Sequence, residues 1–115
     1  MEKPKIKLSP LEDKRVQVKT QKQYDTLMRI YELSGWVWIH GNLPTKSNHW
    51  PYYKDNTCID AKDNFCYSER EYFETEKDVI SFRRFCNIEF LNKEELKKIN
   101  DYFNNIEKKV KFLII

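Results

Sequence analysis

Residues 20–40 read TQKQYDTLMRIYELSGWVWIH, and how this stretch divides decides the fold. Thr20 with Gln23 three residues later is a capping-box pattern, in which each side chain satisfies a backbone N–H that the new helix leaves free. Within Gln21–Leu33, Tyr24, Leu27, Met28 and Tyr31 fall at i, i+3, i+4 and i+7. That spacing puts them on one apolar stripe of a helix. Ser34-Gly35 ends the helix, because glycine takes the left-handed C′ conformation without a Cβ penalty. The alternation that follows predicts a strand over Trp36–His40, with residues 36, 38 and 40 on one face and 37 and 39 on the other. Val37 and Ile39 suit a core beneath the helices. Trp36 and Trp38 then lie on the second sheet face, or one is buried by the aromatic cluster at residues 50–53.

Working outward, Arg15–Lys19 alternates around Val16 and Val18, the pattern of a short half-buried strand. Residues 1–13, with Pro4, Pro10 and scattered charges, read as a flexible arm. Downstream, Gly41–Asn48 carries Gly, Asn, Pro and Ser and reads as a loop. Trp50-Pro51-Tyr52-Tyr53 is an aromatic cluster on or beside it. Thr57–Asp60 and Phe65–Ser68 flank Ala61-Lys62-Asp63-Asn64 as the arms of a hairpin. Glu69–Glu76 is a charged connection around Tyr72 and Phe73. Asp78–Ser81 reads as a last short strand, and Ser81 caps a brief turn of helix over Phe82–Cys86.

The clearest element follows. Asn92 is a good N-cap with Glu95 at the N3 position. Leu96, Ile99, Phe103, Ile106, Val110 and Leu113 then recur at spacings of three and four. This is an a/d seam, narrower than the stripe of an ordinary core helix. It packs on its own sheet or pairs with a second subunit, in which case Leu96, Ile99, Phe103 and Ile106 carry the self-association. The terminal Phe112–Ile115 reads either as the helix end or as a strand. Together these elements predict one α+β domain over 14–115. Its order is strand, helix, strand, hairpin, strand, helix, with a small, mainly antiparallel sheet and two main helices, the last one C-terminal.

Composition narrows the function classes. The 115 residues fit one domain. No apolar run approaches the roughly 20 residues of a membrane span, and the charged N-terminus lacks the apolar core of a secretion signal. Three cysteines without close spacing fit a reducing cytoplasm. Seventeen aromatics and only two glycines mark a folded, aromatic-rich chain. Net charge is +3, yet residues 30–80 hold five Lys/Arg against nine Asp/Glu. An acidic middle argues against phosphate contacts there. A nucleic-acid reading rests instead on the lysines of the arm and of the last helix, and ranks below a protein or small-ligand partner.

Catalytic signatures are missing. There is no Gly-rich phosphate loop, no G-x-S-x-G and no H-E-x-x-H. His40, His49, Cys58, Cys66 and Cys86 lack paired zinc-site spacing. No cofactor, no metal and no enzymatic activity are therefore expected. The rings are the remaining feature. Trp36, Trp38, Trp50, Tyr52 and Tyr53 form either a satellite core under the long loop or an exposed shelf. Such a shelf takes a planar ligand or acts as an interface hot spot, where Trp and Tyr are enriched. His40, Lys46, Asn48 and His49 are placed to orient a polar ligand there.

The helix residues Tyr24-Asp25-Thr26-Leu27-Met28 lead into Gly35-Trp36-Val37-Trp38 and Gly41. Pro44, Trp50, Tyr53, Thr57-Cys58-Ile59, Tyr67-Ser68 and Ile80-Ser81-Phe82 complete the pattern. Over about residues 15–86 it resembles small, largely uncharacterised proteins encoded by bacteriophages of low-GC bacteria. The resemblance implies a stoichiometric, non-catalytic role against host defences, exerted in the host bacterial cytoplasm. Such proteins act as anti-CRISPR inhibitors of an effector complex or as sponges for a nucleotide immune signal. In the first role the acidic segment 55–78 competes for a nucleic-acid-binding surface. In the second, Trp and Tyr stack on a base while Arg83, Arg84 or the N-terminal lysines hold phosphates.

Overall fold

The protein is represented by a computed structural model that describes residues 2–8, 15–61, 65–72 and 79–114. β1 spans Arg15–Gln17 and places Val16 and, just past its end, Val18 in the core. Thr20 then caps α1 (Gln21–Leu33), its Oγ1 accepting from the Gln23 N–H at 3.0 Å. Gln23 Oε1 reaches back to accept from the Lys19 N–H at 2.8 Å, so both halves of a capping box are present, one residue further upstream than usual. At the far end the Gly35 N–H reaches the Glu32 carbonyl and the Trp36 N–H the Tyr31 carbonyl, at 3.1 and 3.0 Å. These two bonds are a Schellman motif, and Gly35 at φ +92° supplies its left-handed residue.

The remaining elements are α2 (Trp50–Tyr53), β2 (Thr57–Ala61), β3 (Phe65–Glu69), β4 (Val79–Ser81), α3 (Phe82–Ile88) and α4 (Lys93–Ile114). Short 3-10 turns cover Pro44–Lys46, Lys54–Asn56 and Arg70–Tyr72. The sheet has four strands in the order β3-β2-β1-β4. β1/β2 and β2/β3 are antiparallel and β1/β4 is parallel. The sheet is therefore mixed, with two of its three pairings antiparallel. The expected turn of the β2–β3 hairpin and most of the charged connection after it lie outside the described residues.

Register assigns the faces. Val16 pairs with Ile59 and Ile80, and Ile59 pairs with Tyr67. This row, with Phe65 two positions from Tyr67, faces the helices. Tyr24, Leu27, Met28, Ile30 and Tyr31 of α1 pack there with Phe85 of α3 and Ile99 and Phe103 of α4. Ile6 and Leu8, in a segment without regular secondary structure, are partly buried against the same core. The second face carries Gln17, Ser68 and the Arg15–Asp60 ion pair at 3.5 Å. Cys58 lies on that face too but is fully buried, and burial pushes its thiol up to about 11.

α4 begins as its cap predicts, with Asn92 Oδ1 accepting from the Glu95 N–H at 2.9 Å. It runs unbroken through Ile114, so residues 112–114 are helix rather than strand, and Ile115 lies outside the described residues. Ile99 and Phe103 of the seam are buried in the protein's own core, Leu96 is half-buried, and Ile106 is exposed. α1 and α4 lie side by side in the same direction. Arg29 donates to Asn100 at 2.7 Å and Asn104 at 3.2 Å, and Asn100 donates to Thr26 at 3.3 Å.

The strand expected over Trp36–His40 does not form. The Gly41 N–H bonds the Trp38 carbonyl at 2.7 Å and the Trp38 N–H bonds the Asn42 carbonyl at 2.9 Å, so the chain reverses within that segment. Gly41 at φ +96° permits the reversal. One parallel bridge remains, Trp38 to Phe65. The facing is also inverted: Trp36 and Trp38 pack inward, while Val37 and Ile39 point to solvent, Ile39 being 66% exposed. Two indoles bury more apolar area than a valine and an isoleucine, and a turn lets the larger pair win.

α3 also ends in a Schellman motif. The Leu91 N–H meets the Cys86 carbonyl at 2.8 Å and the Phe90 N–H meets the Asn87 carbonyl at 3.3 Å. The left-handed residue here is Phe90, at φ +57° and 89% exposed. A side chain at that φ costs free energy that glycine avoids, and so exposed a ring returns little burial. Replacing Phe90 by Gly is expected to raise unfolding free energy by about 1 kcal/mol in urea denaturation, with an unchanged slope.

Candidate functional site

The long segment between α1 and β2 is fastened to α1 by three side chains, one of them Gln21, which donates to Asn48 Oδ1 at 3.4 Å. The buried Tyr24 hydroxyl donates to the Ser47 carbonyl at 3.2 Å and accepts from the His49 N–H at 2.9 Å. Burial pushes this phenol up to about 12, although the bond from His49 acts against it. Glu32 accepts from both the N–H and the hydroxyl of Thr45, at 3.0 and 2.6 Å. Between these anchors Trp38, 2% exposed, donates its indole N–H to the Pro44 carbonyl at 3.3 Å. Asn48 Oδ1 then accepts from the Trp50 N–H at 3.1 Å and starts α2, with Pro51 at its beginning. Gln17 closes the segment onto β1 through the Asp55 carbonyl at 2.8 Å.

This framework holds a layered group of rings. Trp38 packs on Phe65 with centroids 4.3 Å apart. His49 meets the Trp38 ring edge-on at 4.8 Å and lies flat on Tyr67 of β3 at 4.1 Å, the planes 12° apart. Tyr52, 68% exposed, continues the layer beside His49 and Tyr67 at 6.1 and 6.0 Å. Tyr53 lies 6.0 Å from Tyr67, and His40 stacks on Trp38 at 6.2 Å and faces His49 at 5.8 Å. The exposed aliphatic side chains of Val37, Ile39 and Leu43 belong to the same loop segment. The outcome is a solvent-facing surface of His40, Tyr52 and Tyr53 on a base of Trp38, His49 and Tyr67.

Burial sets the electrostatics of its base. Burial, with His40 adding to it, lowers the His49 pKa below its ordinary 6.5. Both His49 nitrogens are enclosed, and no described residue bonds to them. Burial, with help from Tyr52 and Tyr53, raises the Tyr67 pKa. Exposed Asp55, Glu69 and Glu71 lie on the elements carrying or adjoining these rings.

Of the residues singled out in the sequence, His40, Tyr52 and Tyr53 come together here. Trp36 and Trp50 do not reach the surface layer. Trp36 is half-buried against Tyr31 and Phe65, at 6.4 and 6.2 Å, and Trp50 tilts on Tyr24 at 6.4 Å. Arg83 and Arg84 are exposed on α3, which packs on β4 and β1 at the other edge of the sheet from β3. Tyr67 was missing from the sequence expectation. Its signal is the period-two pair Phe65 and Tyr67, which places it beside Phe65 on the face that receives Trp38. Among the described residues no cluster of His, Cys, Asp and Glu is arranged to hold a metal, and no helix is long and apolar enough to cross a membrane. No protein-family model matches the chain, and no curated protein or solved structure matches it either.

Two outcomes follow from this geometry. Trp38→Ala is expected to cost about 3–5 kcal/mol of stability, the range for emptying a buried aromatic site. Tyr52→Ala is expected to cost less than about 0.5 kcal/mol. Paired chemical denaturation curves measure both. The second outcome concerns pH. Because the folded state resists protonating His49, the unfolded chain binds more protons below pH 6.5. Stability contributed by neutral His49 is thus complete above 6.5 and is lost as pH falls below it. The melting temperature should drop between about pH 7 and pH 5.5, more in the natural protein than in His49→Phe.

Proposed function

We propose that this chain is a non-catalytic binding protein that neutralises a bacterial immune system by stoichiometric contact with a defence protein, a CRISPR effector being the favoured target. The observation that carries the reading is the solvent-facing Tyr52 held on the His49–Tyr67 stack. A ring surface fixed from beneath loses little conformational freedom when a partner covers it, and Tyr is enriched at interface hot spots. Exposed apolar surface is otherwise a liability for a soluble chain. The acidic segment supplies the second part of the reading. Residues 30–80 carry net −4 from five Lys/Arg and nine Asp/Glu. Such a segment complements the basic surface with which an effector holds nucleic acid, steering encounter and competing for that surface. The resemblance to small phage proteins supports a defence protein as the target.

The test is expression in bacteria carrying individual defence systems, followed by phage plating. Restored plaque formation against at least one nuclease-based system is the expected result. His40→Ala, Tyr52→Ala and Tyr53→Ala should keep the melting temperature within a few degrees while weakening target affinity by about 2 kcal/mol or more, roughly 30-fold. Unchanged resistance across the panel would sink the reading. Retained activity in all three well-folded variants would remove the ring face from it.

A further inference from the structure

A concavity lies away from the rings. A groove of about 980 Å³ runs between the N-terminal halves of α1 and α4, and it shares no residue with the aromatic face. This volume is at the upper end of small-molecule sites. Phe82 and Leu96 supply apolar surface in its lining. Lys22, Arg29, Lys93 and Lys97 bring four cations to it, against the single carboxylate of Asp25.

The disposition of these charges decides what fits. Asp25 is occupied by the Gln21 amide, which donates to it at 2.8 Å. Lys97 is paired with Asp101 at 2.7 Å. The Arg29 guanidinium sits 5.6 Å over the Phe103 ring, is fixed by Asn100 and Asn104, and is ion-paired with Glu107 at 3.5 Å. Lys22 and Lys93 are exposed and have no hydrogen-bond or ionic partner among the described residues. The groove therefore presents two ammonium groups without an ion pair among the described residues, beside the Asp25 carboxylate and a guanidinium shared with Glu107, around apolar side chains.

We propose that this groove binds a small organic phosphate of nucleotide size. Lys22 and Lys93 hold the phosphate, with Arg29 contributing positive charge, and Phe82 and Leu96 cover the apolar part. A purely inorganic anion would leave that apolar surface unused, and a neutral apolar ligand would leave the two lysines unused.

Isothermal titration of the full chain with ATP, AMP and pyrophosphate at low salt tests this. ATP should bind more tightly than pyrophosphate. The double variant Lys22→Glu/Lys93→Glu should weaken ATP binding at least about tenfold. Lys108→Glu/Lys109→Glu, which reverses two exposed lysines away from the groove, should change it less than about twofold. Both variants alter exposed side chains and should keep the native melting temperature. ATP affinity weaker than about millimolar overturns the proposal. Equal loss in the two variants also overturns it, since that is diffuse charge attraction. If a single-stranded RNA binds through Lys22 and Lys93 while ATP does not, the groove is a nucleic-acid track and the small-ligand assignment is wrong. Phage-defence activity is read separately, so loss of either result leaves the other interpretable.

Discussion

Burying a tyrosine requires a place for its hydroxyl, and α1 buries two. Tyr24 meets the requirement outside its own helix, through the Ser47 carbonyl and the His49 N–H. One phenol thereby pins the middle of a long irregular segment to the most regular element of the protein. Tyr31 behaves differently: its ring touches Trp36, Phe65 and Phe85, joining α1 to the loop, β3 and α3. Its hydroxyl is enclosed without a hydrogen-bond partner among the described residues, a cost set against that packing. Where the loop can lie, and hence where the exposed rings stand, depends on these two side chains.

What the sequence disclosed was what local chemistry controls. Thr20, Ser81 and Asn92 each accept from the N–H three residues on, as capping residues do. Gly35 forms the motif its position implied, and the hairpin arms at Thr57–Ala61 and Phe65–Glu69 pair in register. Trp36–His40 failed because period-two alternation fits a strand and equally a turn whose two indoles point inward. Only Phe65, distant in sequence, separates those possibilities. The place of Tyr67 beneath the ring surface is illegible for the same reason, since its partners His49, Tyr52 and Tyr53 come from another segment. The seam of α4 was legible as a pattern, but which surface it met was not. Ile99 and Phe103 meet the protein's own core, and Ile106 remains exposed.

The ring face is built with its most buried member deepest. Trp38 is closed in by Phe65 and by its bond to Pro44, the half-buried His49 rests on the half-buried Tyr67, and the outer tyrosines and His40 are the most exposed. Such layering separates the residues that maintain the fold from those free to contact a partner. Trp36 and Trp50, apparent members of the shelf in the sequence, belong to the first group. The α1–α4 groove follows a different logic, with fixed polar side chains and unpaired lysines in place of stacked rings.

The parallel pairings also bear on how the chain reaches its native state. β1 finds β4 only after the intervening hairpin has been made, and Arg29 meets Asn100 across 71 residues. Contacts of this separation demand that much chain be ordered before they return any free energy, which slows folding relative to helical bundles of similar size. During synthesis α1 emerges long before Ile99 and Phe103, the residues that close the core over it. A 13-residue helix is marginal alone. The nascent chain therefore carries an uncovered stripe of Tyr24, Leu27, Ile30 and Tyr31 until α4 leaves the ribosome. Emergence of α4, rather than formation of any early element, is the step that makes this domain compact.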